Sequence, residues 1–189
     1  AAGAGTQAKL ISKYYNLYYL DTGKIYRSIG KIFVKNNFKI NLTEIKKKIK
    51  KLSIKELNDK KLLSDKIGRA ASIVAKKKII RKLVHKFQKD CAYNPPKKFN
   101  GAILDGRDIN SIIIKNADFK FYITASPICR THRRVAELRK LGKKVKFAEV
   151  LKGIKKRDRE DRTRKHSRLK KTKESYLINT TNLSIKSSF

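Results

Sequence analysis

Residues 101–108 read Gly101-Ala102-Ile103-Leu104-Asp105-Gly106-Arg107-Asp108. The apolar run makes a short strand, and the polar quartet that follows stops it with two acids around a glycine and an arginine. An acid at that point can face a bound magnesium ion, while the arginine reaches a phosphate with its planar fork. Similar strands recur on both sides. Upstream, Leu17-Tyr18-Tyr19-Leu20 is stopped by Asp21-Thr22-Gly23. Downstream, residues 119–123 run into Thr124-Ala125-Ser126-Pro127, where the proline suits the first turn of a helix. Residues 176–179 make a last strand. Helical spacing fills the intervals at 7–15, 25–35, 67–88 as one long stretch, 128–141 and 147–164. Short strands alternating with helices predict an α/β fold, a parallel β-sheet flanked by helices, with ligands at the strands' carboxyl ends.

Composition bounds the function. A chain of 189 residues, 40% hydrophobic and 8% aromatic, is long enough for one domain with a real core. No apolar run reaches the roughly eighteen residues of a membrane span, so no membrane partner is expected. Cys91 and Cys129 show no CxxC spacing, and with three histidines no zinc pattern can be assembled. A reducing, cytoplasmic setting fits best; an organelle is the alternative if a presequence lies outside the chain shown.

Fifty Lys and Arg against fifteen Asp and Glu give a net charge of +35. Such a field attracts polyanions, including mononucleotides and RNA. Heavy use of Lys, Ile and Asn is also what an AT-rich coding sequence produces. If composition is the cause, binding to a generic RNA duplex should have a Kd of about 10⁻⁴–10⁻⁶ M at physiological salt, with a steep salt slope in a filter-binding titration. Tight, salt-resistant binding of one RNA would point to an RNA-binding protein instead.

The remaining motifs come in order along the chain. Gly3-Ala4-Gly5-Thr6 precedes a helix and, taken alone, is no more than a turn and a cap. Asp-Thr-Gly-x-Ile-Tyr-Arg occupies 21–27, and Ala-Ala-Ser at 70–72 is followed nine residues later by Arg81. Asp-Gly-Arg-Asp at 105–108 is followed by Arg-x-x-Arg-Arg at 130–134. Arg-Asp-x-x-Asp-Arg-x-Arg fills 157–164, and Asn-Thr-Thr-x-Leu-Ser fills 179–184. In this order the motifs resemble those of bacterial cytidylate kinases, which are nucleoside monophosphate kinases with a phosphate-loop fold. The resemblance covers residues 3–27 and 67–185.

The resemblance implies transfer of a phosphoryl group from ATP to CMP or dCMP, with magnesium as cofactor and a monomeric enzyme. It places the ATP phosphates against Gly3, Ala4, Gly5 and Thr6, with Arg130 and Arg134 on the ATP-side helix. Thr6 and Asp105 would hold magnesium. CMP would be bound by Asp21, Thr22, Arg27, Ser72, Arg81, Arg107, Asp108, Arg157, Asp161 and Arg164. Of these, Ser72, Arg81 and Asp108 would read the base, Thr22, Arg27, Arg107 and Arg164 the phosphate, and Arg157 and Asp161 the ribose. Arg107, Arg157, Arg159, Arg162 and Arg164 would carry the catalysis, the last four within a lid at residues 153–170. A helical lobe within residues 28–88 would accompany the monophosphate side of a single kinase domain spanning 1–189. The resemblance also implies a strand before Ala1 and a helix after Phe189.

Two positions depart from the family. Ala4 stands where the phosphate loop carries a lysine, and Arg168 replaces a proline usual after the arginine cluster. With the high charge, Ala4 supports a rival expectation: a kinase fold that lost its reaction and serves as a structural or RNA-binding subunit of a ribonucleoprotein.

Overall fold

The computed structural model describes residues 2–189, with no description of the side chains of Ile54 and Lys60. It divides the chain into two compact units. One is Ser12–Gly106, and the other joins the chain up to Ile11 with Arg107–Phe189.

In the Ser12–Gly106 unit, β1 (Tyr18–Asp21) pairs in parallel with β2 (Ala102–Asp105), and Asp21 lies opposite Asp105. Asp21 ends its strand and caps α2 (Thr22–Lys35): its carboxylate accepts the amide of Gly23 at 3.1 Å. An acid at this point satisfies a first-turn amide and complements the helix dipole. The apolar positions of α2, namely Ile25, Ile29, Ile32 and Phe33, are buried on one face. Against them lie Leu20, Val74, Ile80 and Val84 in a single core.

Between residues 36 and 65 the chain forms small elements. These are α3 (Leu42–Lys50), α4 (Ile54–Leu57) and a 3-10 turn at Lys60–Leu63. Asn41 caps α3 by accepting the amide of Glu44 at 3.0 Å, and Ile45 and Ile49 face the core.

The long helix expected over 67–88 is instead two helices, α5 (Asp65–Val74) and α6 (Lys78–Tyr93). Lys76 and Lys77 make tight bonds to the carbonyls three residues back, and the backbone of Lys77 is extended. At about 100° per residue, the buried residues of one unbroken helix would spread over about half its circumference. The break lets each helix turn a narrower face inward: Ala70, Ala71 and Val74 on α5, and Ile80, Arg81, Val84 and Gln88 on α6.

Gly30 of α2 sits where α5 comes closest. A Cβ there would lie 2.8 Å from the backbone nitrogen of Ala71 and 3.1 Å from the carbonyl oxygen of Ile67. Backbone cannot retreat as a side chain can, so Gly30→Ala is expected to destabilise the fold by about 1–3 kcal/mol. Gly153→Ala, where nothing lies within 4 Å, serves as the control in the same urea titration and should not lose stability.

In the other unit, β3 (Phe121–Thr124) pairs in parallel with β4 (Tyr176–Asn179). Ser126 caps α7 (Pro127–Lys140) by accepting the amide of Cys129 at 3.1 Å, and Pro127 fills the first turn as its sequence suggests. Helix α8 (Phe147–Thr163) follows, and no residue of it is buried. Two short elements were not apparent in the sequence. One is a π-helical turn at Ile109–Ile113, which buries both terminal isoleucines. The other is α9 (Ile185–Ser188), to which Gln7 of α1 (Ala4–Tyr14) is tied. The amide of Gln7 donates to the carbonyl of Ile185 at 3.0 Å and to the Ser188 hydroxyl at 2.6 Å.

Candidate active site

The two strand ends of the Ser12–Gly106 unit bring acids together. Asp21 and Asp105 are register partners, and the Thr22 hydroxyl donates to the Asp105 carbonyl at 2.7 Å, fixing the ends to each other. Burial pushes the Tyr19 hydroxyl far above its usual pKa, and the charges of Asp21 and Asp105 add to the effect. Thr22 is buried at the base of this cluster.

Arg27, one helical turn onward, reaches across to the chain before α5. Its Nη1 donates to the carbonyls of Leu62 at 2.7 Å and Ser64 at 3.3 Å. The guanidinium passes close over Gly68, where a Cβ would approach its nitrogens at 3.1–3.2 Å. Ser72 is exposed on α5, its hydroxyl donating to the Gly68 carbonyl at 3.2 Å. Arg81 is 6% exposed, with its guanidinium 5.5 Å from the centre of the Tyr26 ring. A cation held over an aromatic face in a buried setting is an oriented donor.

The other unit holds the glycine turn and most of the arginines. Gly3 has φ +95, a conformation L side chains rarely adopt, and its carbonyl accepts the Gln7 amide at 2.9 Å as the first bond of α1. The amides of Ala4, Gly5 and Thr6 therefore form the helix's first turn, with the geometry and partial charge that suit an anion. Thr6 is exposed.

Asp161 on α8 gathers three arginines. Arg107 Nε donates to it at 2.9 Å, Arg164 Nη1 at 3.3 Å, and Arg157 Nε lies 3.9 Å away. Arg164 is steadied further by the Ser167 carbonyl, 2.5 Å from its Nε. Asp108 is 6% exposed, and its carbonyl accepts the amides of Ile112 and Ile113 at the start of the π-helical turn. Arg159 and Arg162 lie exposed on α8.

Arg130 and Arg134 have partners of their own. Arg134 pairs with Glu137 at 2.8 Å along α7. Arg130 makes a two-pronged bridge to Asp158 of α8, Nη1 to Oδ1 at 2.9 Å and Nη2 to Oδ2 at 2.5 Å, and its Nε donates to the Ala125 carbonyl at 3.0 Å. The hydrogen bonds from Arg130 hold the Asp158 carboxyl below the usual carboxylate range. A carboxyl lowered in the folded state contributes stability that is complete above its ordinary pKa and is lost as pH falls through the lowered value.

Two residues that the motifs contain but give no role take one in the structure. Arg133 donates to the Thr180 hydroxyl at 3.0 Å and to the Thr180 carbonyl at 2.7 Å, anchoring α7 to the end of β4. Asp158 is the second. Its spacing of three from Asp161 sets both acids on one helix face, the signal that could have identified it.

Asp105 at the end of β2 and, in the other unit, Thr6 each carry a hard oxygen of the kind magnesium takes, and this ion is ordinarily held by one or two protein oxygens together with substrate phosphates. Such binding needs no dense ligand cluster, and among the described residues no group of three or more His, Cys, Asp and Glu could hold a metal ion. No helix of the described residues is long and apolar enough to cross a membrane.

Known proteins resemble this chain along nearly its whole length. The family model described as cytidylate kinase matches residues 1–188. A protein named cytidylate kinase from Bartonella tribocorum is 38% identical over 192 residues, covering 100% of this chain and 86% of the relative. One of that name from Bartonella bacilliformis is 36% identical over 190 residues, with the same coverage of both chains. Another from Thermosipho melanesiensis is 37% identical over 196 residues, covering 97% of this chain and 88% of its own. With the family model spanning nearly every residue and relatives matched along nearly all of the chain, the protein belongs to the cytidylate kinase family.

Proposed function

We propose that this protein transfers the terminal phosphoryl group of ATP to CMP or dCMP. The observation that carries the reading is Asp161 holding Arg107 and Arg164 by hydrogen bonds, with Arg157 beside them. Three cations are converged by a single carboxylate, and arginine forks so held need little reorganisation to meet a phosphate. Arg27 and Thr22 add a cation and a hydroxyl on the monophosphate side. Asp161 and Arg157 would meet the ribose, leaving the 2′ position loosely specified. Asp21 ends β1 on that side while it caps α2.

Base recognition follows from donor and acceptor chemistry. The exocyclic amine of cytosine needs an acceptor, which Asp108 supplies; the ring N3 and carbonyl oxygen need donors, which Arg81 and Ser72 supply. Uracil reverses part of that pattern and would leave buried polar groups unpaired.

On the ATP side, the first-turn amides of α1 at Gly3, Ala4, Gly5 and Thr6 would receive phosphate oxygens, with Arg134 on α7. Asp105 and Thr6 would hold magnesium, which would supply charge neutralisation for the phosphates. Arg159 and Arg162 extend from α8, in the lid region 153–170, as further cations for charge that builds on the transferred group. No general base is needed, because a nucleotide phosphate already carries its charge near neutral pH. What the residues contribute is positioning and electrostatic stabilisation.

The test is direct: initial rates of CDP formation from CMP with magnesium-ATP, and CMP binding by calorimetry. Binding in the micromolar range with detectable CDP supports the reading. The absence of both CMP binding and CDP formation would overturn it.

A further inference from the structure

Arg130 and Asp158 join two helices that the proposed reaction uses for different ends. α7 lies on the ATP side, and α8 carries Arg157, Arg159, Asp161 and Arg162. We propose that the Arg130–Asp158 bridge is the strut that sets α8 in register on α7, so that Arg130 acts as a positioning residue and not as a ligand of ATP.

Four observations carry this inference. All three donor-bearing nitrogens of Arg130 are engaged, two by the Asp158 carboxylate and one by the Ala125 carbonyl. The side chains are mostly covered, with 17% and 25% exposure, so water competes weakly for them. The bridge links positions 28 residues apart, unlike the i,i+3 contact of Arg134 with Glu137. No residue of α8 is buried, so apolar packing alone holds that helix weakly and a polar anchor matters more.

The geometry of α8 then transmits the effect. Asp158 and Asp161 lie three apart, on one face of the helix. With Asp158 fixed by Arg130, the Asp161 carboxylate is fixed where Arg107 and Arg164 reach it. The lowered pKa of Asp158 and the raised pKa of Arg130, each due first to the hydrogen bonds between them, agree with a bridge that stays charged. Loosening it would leave each arginine present but misplaced, and misplacement of about 1 Å can cost on the order of 10²-fold in rate.

The inference rests on the kinase reading, and two kinds of measurement separate the failure of one from the failure of the other. The first is kinetic. Asp158→Ala and Arg130→Ala should each lower kcat by roughly 10–100-fold with the KM for ATP within about twofold of the parent. The double variant should be no worse than either single one, because both remove the same contact. The exchanged pair Arg130→Asp with Asp158→Arg should recover part of the rate. If Arg130 is instead a ligand of ATP, Arg130→Ala will raise that KM while Asp158→Ala, by releasing the guanidinium, lowers it or leaves it unchanged; that divergence overturns the proposal.

The second measurement needs no activity. Hydrogen exchange of the α8 amides at 147–163 should speed up in Asp158→Ala while the amides of α2 keep their protection. Unchanged α8 exchange in a folded Asp158→Ala protein overturns the strut whatever the kinetics show. Loosened α8 together with no CDP formation by any variant, the parent included, would leave the strut standing and remove the kinase reading.

Discussion

Ala4→Lys is expected to raise ATP-dependent CDP formation by about 10²–10³-fold, the scale of one transition-state donor gained or lost. Ala4 is the first residue of α1, directly after the left-handed Gly3, and is only partly covered. A lysine there keeps the helix start intact, since lysine is a good helix former. Its ammonium would track charge on the phosphoryl group as it moves, which backbone amides cannot do. Those amides and the helix dipole can hold ATP without it, so nucleotide affinity should change far less than turnover. Initial rates with CMP at saturating magnesium-ATP, beside CMP calorimetry, provide the check. A lysine variant that stays inactive, with neither form binding CMP, would show that the family's fold has been kept without its activity.

Asp108→Ala should reduce the preference for CMP over UMP by roughly 10–1000-fold in kcat/KM, the range expected when a polar readout is removed from a buried position. Asp108 as a whole residue is 6% exposed, so few waters can replace its carboxylate as an acceptor for the cytosine amine. The loss should fall on CMP and leave UMP nearly as before. Equal losses for both nucleotides would mean that the Asp108 side chain serves structure instead of base selection.

Local chemistry made much of the architecture readable. Polar residues stop each apolar run, and β1, β2 and β4 lie within about a residue of where that punctuation puts them. Pro127 opens α7 for the same reason. The break between α5 and α6 escaped notice because Lys76-Lys77-Lys78 contains neither glycine nor proline, and its cause is the direction in which two distant helix faces must point. The π-helical turn at Ile109–Ile113 is a single turn, too short for the spacing of Ile109, Ile112 and Ile113 to stand out from the polar residues around it. In the candidate site, residue types were legible and pairings were not. Arg130, Arg157 and Arg164 look alike along the chain; only the fold assigns Arg130 to Asp158 and the others to Asp161.

The tie between Gln7 and the Ile185–Ser188 turn bears on how the protein is made. Its partner carbonyl lies 178 positions later in the chain, so the turn that would cradle triphosphate leaves the ribosome well before it can gain this anchor. At about 5–20 residues per second, the interval is on the order of ten seconds or more. The Ser12–Gly106 unit, continuous in sequence, can close on itself during that time. Synthesis therefore separates the two halves of the molecule: one can fold on the growing chain, and the other must wait for its far end.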